Sequence, residues 1–95
     1  MVESSIERHA CDKIRRELGV DSLKLNVHNN VGYPDRLFFT PGTPVFIEFK
    51  RPGGTLSRRQ EYTIRTLLRR GYEVHVVEDI ITAYTIILKR LEKCS

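Results

Sequence analysis

Residues 32–50 read GYPDRLFFTPGTPVFIEFK, two apolar runs on either side of a Pro-Gly turn. The runs at 35–40 and 45–50 are rich in aromatic and β-branched residues, so we predict two strands joined as a hairpin. The second run contains Glu48 and Lys50, which share one side because side chains alternate along a strand. Burying such charges costs free energy unless they pair or hold a metal. The stretch therefore indicates a functional site as well as a hairpin.

The register of this hairpin decides whether two acids meet. A four-residue turn would set Thr40 opposite Val45 and, further back, Asp35 opposite Lys50. Asp35 would then lie diagonal to Glu48, at roughly 7–8 Å between backbones, close enough for two carboxylates to converge on one ion. Carboxylates with backbone or water oxygens suit Mg²⁺ or Mn²⁺. Two alternatives stay open: Asp35 as a plain turn residue, and the acid and lysine of the strand as a solvated pair.

The rest of the chain alternates between helical and extended patterns. The predicted elements are helices at 5–18, 58–70 and 80–93 and strands at 22–29, 35–40, 45–50 and 73–77. Ser4 or Ser5 is expected to cap the first helix. The first strand should bury Leu23, Leu25 and Val27. The order α-β-β-β-α-β-α predicts an α/β fold with a mixed sheet and helices on its faces.

Composition limits the class of protein. The 95 residues suit one domain, 1–95, and the net charge of +4 makes an acidic partner such as nucleic acid plausible. Cys11 and Cys94 match neither a zinc spacing nor a disulfide framework, which indicates free thiols in a reducing cytoplasm. No segment has the apolar length of a membrane helix, and we find no export signal.

Two further polar residues head the inward stripes of helices. Glu7 lies on the stripe of the first helix and Gln60 on that of the second, so both could reach the sheet edge that carries the two acids and the lysine. Each has a simpler interpretation. Glu7 could complement the helix dipole, and Gln60 completes a capping box with Ser57.

Basic and aromatic residues surround the glycine-rich loop that follows the second apolar run. Arg51, Arg58 and Arg59 suit contacts to a phosphate backbone, although a solvated helix face explains them as well. Tyr33 and Tyr62 could stack on bases, but packing in the core or at its rim is the simpler interpretation for both.

Three motifs taken together resemble the VRR-NUC family of the PD-(D/E)XK nuclease superfamily. They are the Gly-X-Pro-Asp start at 32–35, the Glu-X-Lys triplet with its Pro-Gly-Gly loop at 48–54, and the Ser-X-X-Gln helix opening at 57–60. With the helix before them and the strand after them, the resemblance covers nearly the whole chain. It implies a restriction-endonuclease-like fold, in which helices flank a mixed central sheet.

The resemblance also implies a catalytic set and a Mg²⁺ or Mn²⁺ cofactor. Asp35 and Glu48 take the metal-ligand positions, with the backbone carbonyl of Phe49 as the third protein ligand. Lys50 takes the position of the catalytic lysine. The implied helper residues are the motif glutamine Gln60 and the first-helix acid Glu7, which would position the lysine or a water.

The implied activity is that of a metal-dependent, structure-selective DNA endonuclease that hydrolyses phosphodiester bonds. Short stand-alone members of the family are phage-type or bacterial and similar to Holliday-junction resolvases. This implies a homodimer that cuts four-way junctions or other branched DNA, in a bacterial or phage-infected cytoplasm and away from membranes. The alternatives are a non-catalytic module that binds branched DNA on a nuclease scaffold and a small dimeric interaction protein.

Overall fold

A computed structural model describes residues 2–25 and 32–94 of the chain. Its elements are α1 (Glu3–Leu18), β1 (Ser22–Lys24), β2 (Arg36–Phe38), β3 (Val45–Phe49), α2 (Arg58–Arg69), β4 (Glu73–Val77) and α3 (Ile80–Cys94). The order confirms the predicted α-β-β-β-α-β-α. The predicted first strand is found only at 22–24, and its residues 26–29, including Val27, lie outside the described residues.

The four strands form one mixed sheet in the order β1-β2-β3-β4. β1 pairs with β2 and β2 with β3 in antiparallel fashion, whereas β3 and β4 are parallel. All five residues of β3 are buried, because strands flank it on both edges and helices cover both faces. The predicted α/β fold with helices on the faces of a mixed sheet is confirmed.

The predicted register of the β2–β3 hairpin is wrong by two residues. Arg36 pairs with Ile47 and Phe38 with Val45, so the turn between the strands has six residues instead of four. A shift by two keeps every side chain on its predicted face, since the side-chain period of a strand is two. Continued by one residue, the observed register sets Asp35 directly opposite Glu48.

The two faces of the sheet carry different cores. One face packs against α1 and α3 through a cluster that includes Ile6, Phe38, Ile47, Phe49 and Ile87. The other face packs against α2 through a smaller cluster of Phe46, Ile64 and Val74 with partly buried leucines. Glu48 alternates with Ile47 and Phe49 along β3, so it lies on the α2 face. The candidate site therefore shares a face with the smaller core.

Two local predictions need correction. α1 begins at Glu3 after Val2, without a side-chain cap from Ser4 or Ser5. Leu23 on the edge strand β1 is 51% exposed, so the prediction that it is buried is wrong. In α3, Ile81 is exposed, whereas Ile86 and Leu91 pack on the monomer's own core.

The helices of the described residues do not have the properties of a membrane-spanning helix. None of the helices formed by residues 2–25 and 32–94 combines the length and the apolar character needed to cross a membrane.

Candidate metal centre

Two buried acids meet where β2 begins and β3 ends. Asp35 is 8% exposed and Glu48 is 2% exposed. The backbone N–H of Phe49 donates a hydrogen bond of 2.8 Å to Oδ2 of Asp35, which ties this carboxylate to the end of β3. The bond occupies one of the two oxygens of Asp35. The structure thus brings together the two acids that the sequence predicts as metal ligands.

The two oxygens of Glu48 have different environments. Oε2 accepts a hydrogen bond of 3.0 Å from Nε2 of Gln60 and lies 3.2 Å from Nζ of Lys50. Oε1 is buried and has no hydrogen-bond partner among the described residues. A buried carboxylate oxygen without a partner is costly, because it has lost its hydration without replacement. An atom of this kind is a natural place for a cation.

The raised pKa values of the two acids also indicate a site for a cation. Burial, and secondly the charge of Asp35, raise the pKa of Glu48 from 4.5 to about 7, although Lys50 acts in the opposite direction. Burial also raises the pKa of Asp35, against the lowering effect of the Phe49 N–H. Carboxylates that repel each other in a desolvated site need a compensating positive charge before both ionise. The ammonium group of Lys50 alone does not fully supply this positive charge.

The donor set fits the Mg²⁺ or Mn²⁺ that the family resemblance implies. Hard divalent cations prefer carboxylate and carbonyl oxygens, and Glu48, whose Oε1 has no hydrogen-bond partner among the described residues, is close enough to Asp35 for the two charges to interact. Within residues 2–25 and 32–94, no three Asp, Glu, His or Cys side chains are grouped as metal ligands. The carbonyl of Phe49 would therefore have to complete the protein's share of the ligands.

Gln60 performs both of the functions that the sequence left as alternatives. Its side-chain Oε1 accepts from the backbone N–H of Ser57, while the Ser57 hydroxyl accepts from the Gln60 N–H, which makes a complete capping box. Its Nε2 is free for Glu48 because an amide has separate donor and acceptor ends. The start of α2 is thereby fixed against the site.

The loop before Asp35 is held against α2 by a glycine. Gly32 has a φ of +81°, and a Cβ at this position would lie 2.6 Å from the carbonyl oxygen of Arg59. Any other residue would be strained by the φ and would also push α2 away from the loop. This contact explains the glycine of the Gly-X-Pro-Asp motif in physical terms.

Glu7 lies apart from the other candidate residues. Arg36 pairs with Ile47 in the sheet and so faces α1, and its Nε donates to Oε2 of Glu7 at 2.7 Å. Glu7 is buried, and its charge contributes to the raised pKa of Asp35, but none of its hydrogen bonds in the described structure goes to Asp35, Glu48 or Lys50.

Sequence reasoning missed the pairing role of Arg36. The signal was present, since a charge on the apolar side of a predicted strand needs a partner and Glu7 is the acid on the stripe of the facing helix. The same argument that identified Glu48 and Lys50 would have predicted the pairing of Arg36 with Glu7.

The predicted DNA-contact residues surround the site on the solvent side. Arg51, Arg58 and Arg59 are all exposed. Tyr33 and Tyr62 are 52% and 65% exposed, so neither packs in the core. A groove of about 560 Å³ is lined by Tyr33, Arg58, Arg59, Tyr62 and Thr63.

Comparison with known proteins supports the resemblance through structure. No family model and no curated protein sequence matches this chain. A solved structure described as a VRR_NUC domain is 25% identical, covers 90% of this chain and 94% of its own, and superposes with a TM-score of 0.76. A second, described as a VRR_NUC domain protein, is 16% identical, covers 97% of this chain and 89% of its own, and has a TM-score of 0.77; at that identity it bears on the fold alone. The chain therefore has the fold of these two VRR_NUC domains and is similar to them over nearly its whole length.

Proposed function

We propose that the protein is a metal-dependent, structure-selective DNA endonuclease that hydrolyses phosphodiester bonds in Holliday junctions or other branched DNA. The proposal is carried by one observation, the buried pair of Asp35 and Glu48. Nζ of Lys50 lies 3.2 Å from Oε2 of Glu48, and Oε1 of Glu48 has no hydrogen-bond partner among the described residues. A purely structural ion pair has no use for a second buried acid beside it. The nuclease-type fold supports the same conclusion.

Each residue has a distinct task in this proposal. Asp35, Glu48 and the carbonyl of Phe49 would hold Mg²⁺ or Mn²⁺, which activates water and stabilises charge on a phosphodiester when bound. Lys50, fixed by its ion pair with Glu48, would balance the negative charge that develops on the phosphate. Gln60 would hold Glu48 and position the lysine. Glu7 would hold a water on the α1 side of Asp35.

The DNA itself would be held by charge rather than by base reading. Arg51, Arg58 and Arg59 would contact phosphates, with little sequence specificity. A homodimer would place two sites on the two strands of a symmetric junction. Sedimentation of the free protein as two chains would support the dimer, and sedimentation as one chain at working concentration would contradict it. We place this activity in a bacterial or phage-infected cytoplasm.

Incubation with labelled four-way junction, flap, splayed and linear duplex DNA tests the proposal. We expect cleavage of at least one branched substrate with Mg²⁺ or Mn²⁺, slower cleavage of the linear duplex, and none with a chelator. Electrostatic binding should persist in the chelator because it does not depend on the metal. Binding without cleavage under every metal condition would support the non-catalytic module instead.

Gln60→Ala is expected to reduce cleavage about 10- to 100-fold, as loss of a group that orients a ligand typically does. Ser57→Ala is the matched control, because it removes the other hydrogen bond of the capping box, from the Gln60 N–H to the Ser57 hydroxyl, and leaves the Gln60–Glu48 hydrogen bond in place. Both variants should lose about 1 kcal/mol of stability. Equal loss of cleavage in the two variants would show that Gln60 matters only as a cap.

A further inference from the structure

The groove beside the metal centre has an unusual lining for a protein surface. Single exposed aromatic residues are normal, but here Tyr33 and Tyr62 are both more than half exposed and line one groove together with two arginines. Arg58 and Tyr62 lie one turn apart on α2, and so do Arg59 and Tyr62. The groove therefore combines aromatic faces with positive charge over a short stretch of surface.

The two arginines of this groove have no acidic partner among the described residues. Arg58 and Arg59 are exposed, and neither forms an ion pair with another described residue. By contrast, Arg36 and Arg90 each pair with a carboxylate. Guanidinium groups left without acids suit phosphate, and aromatic faces suit nucleobases, so the lining matches a nucleic acid strand whose bases are accessible.

The groove is also fixed relative to the metal centre. The tight contact between Gly32 and the Arg59 carbonyl joins its two walls, since Tyr33 follows Gly32 directly. Tyr33 is two residues before Asp35, a distance of at most about 7–8 Å between Cα atoms. That distance corresponds to about two nucleotides of a stacked strand at 3.4 Å each. A base on Tyr33 would thus be close to the phosphate at the metal.

We propose that this groove binds unpaired nucleotides of a single strand beside the scissile phosphate. A base inside a duplex already has neighbours on both of its faces, so it cannot stack on a tyrosine without first leaving the helix. The preferred substrates are therefore branched DNA with a single-stranded arm, such as flaps and splayed duplexes, rather than fully paired four-way junctions. This inference rests on the proposed function and names the substrate class of the same site.

The test measures binding without cleavage, in chelator, by fluorescence anisotropy of a labelled oligothymidylate and of a splayed duplex. Tyr62→Ala is expected to bind both about tenfold or more weakly, and Tyr62→Phe to bind like the wild type, because a phenyl ring stacks as well. Phe39→Ala is the matched control. Phe39 is 57% exposed at the opposite end of β2 from Asp35, so its loss should leave binding unchanged.

Salt dependence tests the arginines in the same assay. Arg59→Ala should lower the slope of log K against log salt concentration by about 0.7, the value for one phosphate contact on a single strand. Tyr62→Ala should leave this slope unchanged. Binding by Tyr62→Ala within twofold of the wild type, or an equal loss in Tyr62→Phe, would overturn the stacking inference.

The two proposals fail in different ways. A protein that cuts branched DNA, but whose Tyr62 variants bind like the wild type, contradicts stacking and leaves the nuclease proposal intact. A protein that cuts no substrate, but whose single-strand binding depends on Tyr62, contradicts the nuclease proposal and supports stacking.

Discussion

Asp35→Asn and Lys50→Met are each expected to reduce cleavage of branched DNA by at least about 100- to 1,000-fold while leaving the fold intact. In the first variant, the amide oxygen of the new side chain can still accept from the backbone N–H of Phe49, so the strand end stays in place. What this variant loses is the charge of one of the two proposed metal ligands. The second variant loses the cation beside Glu48.

The controls use residues of the same type away from the centre. Asp12→Asn breaks exposed ion pairs with Arg15 and Arg16 on α1, which contribute little to stability. Lys89→Met removes an exposed lysine on α3. Both should cleave like the wild type in single-turnover assays. Cleavage by Asp35→Asn or Lys50→Met within threefold of the wild type would remove the basis for assigning these residues.

Folding of the Lys50 variant needs its own measurement. Without the ammonium group, the pKa of Glu48 has lost the main influence that lowers it. The protein would then keep Glu48 protonated to higher pH, so its melting should be compared with that of the wild type at pH 5 as well as at pH 8. A variant that melts normally at pH 5 and still fails to cut with either metal separates catalysis from stability.

The hairpin shows which parts of such a site a sequence can predict. The period of two placed the acids and the lysine on one face, and an even error in register left that result unchanged. The predicted turn was two residues too short, because Phe39 and Thr40 suit a strand end by residue type but lie in the turn. The side chain of Thr40 shows that this residue belongs to the turn, since its Oγ1 donates to the carbonyl of Thr43 within the turn.

The contacts that sequence reasoning missed are long-range. Glu7 and Arg36 are 29 positions apart, and only the packing of α1 on the sheet brings them together. Gln60 was treated as a choice between two functions because a local motif explains one of them completely. Its second hydrogen bond depends on how α2 docks on the sheet, which the glycine contact at Gly32 fixes. Local sequence patterns predicted on which face of the sheet each side chain lies, whereas tertiary packing determined its hydrogen-bond partners.

Glu48→Gln is expected to stabilise the metal-free protein at pH 8 and to weaken its stabilisation by Mn²⁺ strongly. The folded-state pKa of Glu48 is about 7, above its ordinary value of 4.5, so the folded protein holds a proton that the unfolded chain has released between these two pH values. Stability of the wild type therefore falls as pH rises from about 4.5 to about 7. The full effect is roughly 3 kcal/mol, at 1.36 kcal/mol for each pKa unit.

Thermal melting across pH 5 to 8 measures this effect. The variant should melt like the wild type near pH 5 and about 10 °C or more above it at pH 8, because the amide carries no charge to bury. Asp35 has a raised pKa from burial as well, so a smaller decline with pH remains in the variant. The pKa of Glu73 is lowered, and its contribution changes below about pH 4.5, outside this range.

Addition of Mn²⁺ at pH 8 should distinguish the two proteins. If the ionised pair holds the cation as proposed, Mn²⁺ should raise the melting temperature of the wild type with concentration, since a ligand of the folded state stabilises it by mass action. Glu48→Gln lacks one of the two charged ligands and should respond far less. Asp12→Asn, with both ligands intact, should respond like the wild type. A wild-type melting temperature that is indifferent to Mn²⁺ and flat between pH 5 and 8 would mean that the carboxylates neither repel each other nor hold a cation.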